Sequence, residues 1–401
     1  MNEITTDVRS AILNLSTEHF ETAVQLRRQI HKHPEIGFTE FKTTDAIIAA
    51  LESVNEHAKK KFSITRFDKT GLMADLVVTP GEKFIAFRGD IDALPIEEKT
   101  DLAFRSEHQG ISHSCGHDIH AASVFLAGCI LSHLADTSTL KHNVRLVFQP
   151  AEEVNPSGAK HIIAQGVLEN VQSIYAVHCD PMLDVGQIGT KFGAITSATD
   201  LIRITVSGNG GHTSRAHLAG DLIYALSLIA SNTPSILRSS YDVREAVTLN
   251  WGKIEAGYID NVIPRKGQLW GTFRTTSATA WKEAKERITK LVEAIAEQCG
   301  VSASVEYKVG VPPTINSEEA TTRMNNAYEQ MFRRGKPIPL QQSLGGEDFS
   351  WYLREVDGGM ARLGVSLANA EANSDIHQPD FNPNEESIKV AAEFFAGIAV
   401  L

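Results

Sequence analysis

Phe84-Ile85-Ala86-Phe87 runs straight into Arg88-Gly89-Asp90-Ile91-Asp92. A short apolar run that ends in acids is the pattern of a buried strand delivering polar side chains to its rim. Two further segments repeat it. Val144-Arg145-Leu146-Val147-Phe148 leads into Gln149-Pro150-Ala151-Glu152-Glu153, and Ile174-Tyr175-Ala176-Val177 leads into His178. In open α/β sheets the ligand crevice lies outside the carboxyl ends of the strands, so these side chains are expected to converge.

Helical patterns fill the spaces around these strands. A long helix carries Ala23, Leu26 and Ile30 and stops at His33-Pro34, and a second covers Lys42 to Leu51. Two more span Ala121 to Leu134 and Ala159 to Leu168. The alternation predicts an α/β domain with a mostly parallel sheet and helices on both faces. The pattern changes near Thr199. Leu201–Val206, Ala246–Ile254, Gln268–Arg274 and Ala303–Tyr307 suit strands, with apolar or amphipathic helices over Leu222–Leu237 and Ala280–Gln298. The order β-α-β-β-α-β is the ferredoxin-like split motif. Residues 199–309 are therefore expected to form an inserted α+β lid or dimerisation domain. Residues 1–198 and 310–401 would together make the discontinuous catalytic domain.

The 401 residues suit two such domains, and 42% hydrophobic with 22% charged residues is a globular balance. The net charge of -11, with no Lys/Arg-rich block, argues against a nucleic-acid partner. The first twenty residues lack a cationic start followed by an apolar run, and nowhere do about 18 apolar residues run together. Neither a secretory signal nor a membrane span is expected. Cys115, Cys129, Cys179 and Cys299 show no C-x-x-C spacing, which fits a reducing, cytoplasmic setting.

His113-Ser114-Cys115-Gly116-His117-Asp118-Ile119-His120 stands immediately before a helical run. Cys and His separated by one Gly suit metal ligation from a loop, because the Gly lets the backbone fold tightly between them. Adjacent Glu152 and Glu153 would be an ordinary solvated pair elsewhere. After a buried strand and a proline they suit hydrolysis at a metal, which needs one carboxylate as ligand and a second to move protons.

On these residues the chain resembles the aminoacylase/carboxypeptidase superfamily of dinuclear metallohydrolases. Within it, the chain is most similar to the branch of hippurate hydrolases, auxin-conjugate (IAA-amino acid) amidohydrolases and N-acetyl-diaminopimelate deacetylases. The similar segments are Arg27-Arg28 with His31–Glu35, Arg88–Pro95, Cys115–His120 and Gln149–Glu153. They continue with Gly210–His212, Asn261–Pro264, Gly271–Arg274, Gly346–Phe349 and His377–Phe381, spanning almost the whole chain.

The resemblance implies that Cys115, His117, Glu153, His178 and His377 hold two divalent metal ions, zinc or manganese, about 3.5–4 Å apart. It makes Glu152 the general base and acid, and His212 a donor to the oxyanion of the tetrahedral intermediate, often from a neighbouring subunit. Asp92 would orient a ligating histidine, with Asp90 supporting the same loop. Asn261 and Arg274 would hold the substrate carboxylate, a task suited to the arginine fork. The expected activity is hydrolysis of the amide bond of N-acyl amino acids by a homodimer. A dipeptidase or carboxypeptidase on the same metals, or a non-catalytic metal-binding module, is the alternative. Three departures stand out: His212-Thr213-Ser214-Arg215-Ala216-His217 lacks the Pro that the family usually has before the second histidine, Gly89 stands where Ala is commoner, and Cys179 sits beside His178.

Overall fold

The computed structural model describes residues 3–367 and 374–401; residues 1–2 and 368–373 of the expected catalytic domain lie outside the described residues. All seven residues of Phe84–Asp90 are buried, as are all seven of Asn143–Gln149, because both strands lie inside a sheet with no solvent face. The chain divides into two compact units. One comprises Met1–Gly193, Ile315–Gln341 and Trp351–Leu401, the other Ala194–Thr314 and Gln342–Ser350.

The larger unit is built on an eight-stranded sheet. Its order is Ser63–Arg66, Leu72–Leu76, Asn143–Gln149, Phe84–Asp90, Val171–Asp184, Asp357–Ser366, Ile188–Thr190 and Ile338–Pro339. The four central strands run parallel to one another. Antiparallel pairing begins at Leu72–Leu76 on one side and Ile188–Thr190 on the other. The third strand is longer than its apolar run suggested: it extends from Val171 to Asp184, so His178 lies within it. The ladder with Asp357–Ser366 continues past His178, pairing it with Arg362, and this long-range pairing extends a segment whose own composition would stop at Val177.

Five helices pack with the sheet into one apolar core: Thr6–Lys32, Phe41–His57, His117–Asp136, Glu318–Phe332 and Glu386–Val400. Thr5 caps the first by accepting the Val8 N–H. His117–Asp136 is apolar nearly all round, as a helix enclosed by protein must be. Among the described residues it alone is long and apolar enough to cross a membrane, and 94% of its most apolar window is buried inside the protein. The helix expected over Ala159–Leu168 is shorter, Gly158–Ile163, and turns follow it to Gly166 at φ +84.

The smaller unit has four antiparallel strands in the order Thr248–Ala256, Lys266–Thr275, Ala198–Ser207 and Ser302–Val311. Ala198–Ser207 alternates buried and outward positions, and its inward residues join Leu222–Ser239 and Ala278–Gln298 in a second core. Its boundaries differ from the expected 199–309. It begins at Ala194, ends at Thr314 and takes in Gln342–Ser350. That distant segment is tied down by backbone bonds, from Ser197 N to Gly345 O at 3.1 Å and from Ser343 N to Ile195 O at 3.0 Å. The Gly346–Phe349 segment, expected in the catalytic domain, therefore lies within the smaller unit.

Candidate metal centre

Gly116 adopts φ +87 as the N-cap of the His117–Asp136 helix. A side chain there would place its Cβ 2.7 Å from the Cys179 sulfur, so glycine is required both for the backbone angle and for space. The turn leaves Cys115 at the end of a loop and His117 at the first helical position. The ligand atoms of Cys115, His117 and His178 lie within 4.8 Å of one another. The same holds for Cys115, Glu153 and His377, and for His117, Glu152 and Glu153. The groups share members, so all five expected ligands and Glu152 meet at one place in the larger unit.

Hydrogen bonds fix which ring nitrogen of each histidine is offered. His117 Nδ1 donates to the Asp92 carbonyl at 2.9 Å, leaving Nε2 buried without a hydrogen-bond partner. His178 Nδ1 donates to the Cys179 carbonyl at 2.8 Å, leaving Nε2 as a lone pair 3.5 Å from Cys115 Sγ. His120 is different. Its Nδ1 lies 2.6 Å from Asp90 Oδ1 and its Nε2 accepts the Cys179 N–H at 2.9 Å, so both nitrogens are spent on protein groups. His113 is buried with neither nitrogen partnered, and burial drives its pKa down to about 3, which keeps it neutral.

His377 stands at φ +62, its N–H donating to Ser114 O at 2.7 Å and its Nε2 3.1 Å from Glu153 Oε1. Asp92 does more than orient a ligand. Its two carboxylate oxygens accept the backbone N–H groups of Glu152 and Glu153, each at 3.0 Å, while Oδ1 lies 3.3 Å from His117 Nδ1. One side chain thus fixes the glutamate pair, and its own carbonyl orients the histidine. Asp90 pairs with Arg88 and holds His120 rather than a ligand.

The electrostatics of the pocket favour a cation. Burial pushes the Cys115 thiol well above its ordinary value, and Glu153, Glu152 and Asp90 push it further. Burial works against charge on His117, yet Asp90, Asp92 and Glu153 outweigh it and hold the imidazole up at about 10. The surroundings call for positive charge at His117 Nε2, which a proton or a metal ion supplies equally. His178 is held well below its ordinary value by burial and then by the Arg362 charge, and so stays a neutral donor. A buried thiol, the bare Nε2 of His117, two further imidazole nitrogens and a carboxylate form a donor set that fits divalent metal ions.

Several residues that hold the site in place drew no role from the sequence. Glu40 is buried beneath the glutamate turn; its carboxylate accepts the Ala151 N–H at 2.8 Å and the Thr70 hydroxyl at 2.6 Å. Thr44 completes the brace by accepting the Gly71 N–H at 2.8 Å. Gln149 takes bonds from Arg88 Nε at 2.9 Å and the Tyr352 hydroxyl at 2.8 Å. Below the His117 turn, buried Asp118 joins Arg27 at 2.6 Å and His31 Nδ1 at 2.8 Å, and His31 Nε2 reaches Glu98 at 3.2 Å. An acid four residues before a threonine at a helix start was the one local hint of Glu40, and it names no partner.

His212, Asn261 and Arg274 belong to the smaller unit. The short strands Gly211–His212 and Val262–Ile263 pair, which brings His212 next to the Asn261 turn. His212 is exposed, and its Nδ1 accepts the Ser214 N–H at 3.2 Å, which places its proton on Nε2. Arg274 Nη1 is engaged by Thr199 Oγ1 at 2.8 Å and by the Leu344 carbonyl, so part of its fork is structural.

Residues 86–400 match the sequence pattern of peptidase family M20/M25/M40. The N-acetylcysteine deacetylase of Bacillus subtilis is 34% identical over 94% of this chain and 96% of its own length. A protein of Rhodococcus jostii named putative glutamate–cysteine ligase 2-3 is 39% identical over 91% of this chain, which spans only 45% of that protein. Among solved structures, a dinuclear metal-binding peptidase of the M20 family from Bacillus subtilis superposes with a TM-score of 0.81 at 30% identity, covering 96% of this chain and 98% of its own.

Proposed function

Because this chain belongs to peptidase family M20/M25/M40, we propose that it hydrolyses the amide bond of N-acyl amino acids at the centre formed by Cys115, His117, Glu153, His178 and His377. One observation carries this reading: five donor side chains from separate elements converge while a further carboxylate, Glu152, stands beside them. When bound, two divalent cations would polarise the amide carbonyl and acidify the attacking water. Zinc suits the thiolate and imidazoles, and manganese suits the carboxylate share of the set.

Glu152 is the proton carrier in this reading. Its backbone is pinned by Asp92 from one side, while the Ala151 N–H before it is pinned by Glu40. It takes a proton from the attacking water and returns it to the leaving nitrogen. His212, with its proton on Nε2, is assigned to the developing oxyanion, and Asn261 and Arg274 to the amino acid's carboxylate. A homodimer through the smaller unit is supported by Ile223, Tyr224 and Ile236 exposed on one helix and Ile254 exposed on the edge strand Thr248–Ala256. All four cysteines are free thiols, which supports a cytoplasmic, reducing setting.

The test pairs metal analysis with turnover of N-acetyl and N-benzoyl amino acids, N-acetylcysteine among them, beside dipeptides. Glu152→Gln should keep the metal stoichiometry and lose about 10²–10⁴-fold in kcat. Undiminished turnover in that variant would remove Glu152 from the chemistry, and hydrolysis of dipeptides alone would replace the acylase reading with a peptidase one.

A further inference from the structure

Arg362 is out of place in its strand. Asp357–Ser366 lies between two other strands, and all its residues from Gly358 to Ser366 are buried except Arg362, which is half-buried. Its guanidinium has no hydrogen-bond or ion-pair partner among the described residues. Arginine in such a position loses hydration and is ordinarily compensated by a carboxylate. Among the described residues nothing compensates it. Three other buried arginines, Arg27, Arg88 and Arg145, are all paired with aspartates.

Its register shows where it faces. Arg362 is the ladder partner of His178 on the neighbouring parallel strand, and side chains of such partners project from the same face of the sheet. On its other side the partner is Gly189. The space a side chain would take there is closed by Leu340 and Leu183. Arg362 therefore stands between a metal-centre histidine and an apolar wall.

We propose that Arg362 is a specificity-determining residue of the larger unit, binding a carboxylate of the substrate beside the metal centre. The planar fork suits two parallel bonds to a carboxylate, and an apolar flank strengthens them by excluding water. Arg362 takes this role only if the chain hydrolyses amides as proposed above. The carboxylate belongs either to the amino acid or to an acyl chain that itself ends in an acid, and the two are separated by substrate choice.

The full-length chain loaded with zinc or manganese is assayed on two matched pairs. N-succinylglycine against N-butyrylglycine varies a carboxylate on the acyl side; N-butyrylglycine against N-methylbutyramide varies it on the amine side. The wild type should prefer the carboxylate in at least one pair, and Arg362→Met should lower that kcat/KM ratio about 10–100-fold. Arg362→Lys should recover part of it, as a point charge without the fork. Calorimetric titration with glutarate gives a readout free of turnover: affinity should fall by a similar factor in Arg362→Met at unchanged metal stoichiometry. Equal ratios and equal glutarate affinity in wild type and both variants would overturn the assignment. A wild type that binds glutarate through Arg362 yet cleaves no amide would instead overturn the hydrolase reading.

Discussion

Replacing Glu40 with glutamine should change how the stability of the metal-free protein depends on pH. Burial lifts the Glu40 carboxyl from 4.5 to about 7; the Thr70 hydroxyl draws it back, and the charge of Asp92 adds to the lift. Between those two pH values the folded chain keeps a proton that the unfolded chain has released. The Glu40 contribution is therefore fully present below about 4.5 and is lost as pH rises towards about 7. At about 1.4 kcal/mol for each pH unit, the loss amounts to about 3 kcal/mol. Glutamine keeps the geometry, since its oxygen accepts the Ala151 N–H and the Thr70 hydroxyl turns to accept from its amide. It does not titrate. Urea unfolding of both proteins in chelator at pH 5, 6, 7 and 8 gives the difference directly, with other titrating groups cancelling. Glu40→Gln should gain on the wild type by about 2.5 kcal/mol between pH 5 and pH 8, part of the loss having already occurred at pH 5. A flat difference, or one of opposite sign, would refute the idea that burial governs this carboxyl.

Asp92→Asn turns one of two acceptors into a donor facing a buried N–H of Glu152 or Glu153. It should cost about 2–3 kcal/mol in urea unfolding and weaken metal retention in dialysis. Gly116→Ala forces an L side chain to φ +87 and against the Cys179 sulfur, so a loss of at least about 2 kcal/mol and of bound metal is expected; wild-type metal content would show that the turn tolerates a side chain. Chelation should abolish turnover and lower the melting temperature, because a metal held only by the folded arrangement of Cys115, His117, Glu153, His178 and His377 contributes its binding free energy to the fold. Zinc or manganese should restore both, read by calorimetry and activity.

The sequence by itself determined the parts written in local pattern. Buried strands show as unbroken apolar runs, so the strands beneath Asp90, Glu152 and His178 were legible, as was the β-α-β-β-α-β order of the smaller unit. The Cys115-Gly116-His117 spacing and the doubled glutamate were legible as chemistry for the same reason. Only the tertiary structure separated His117, with a bare buried nitrogen, from His120, whose nitrogens are both engaged, and from His113, whose nitrogens are both unpartnered. It also showed that Asp92 spends its carboxylate on backbone N–H groups, that Glu40 supports the turn from 111 residues away, and that residues 342–350 join the smaller unit. Arg362 had no local signature at all. Periodicity along a chain reports how much of each residue is covered, whereas a partner is chosen by register between strands distant in sequence, and that choice is made only when the whole core packs.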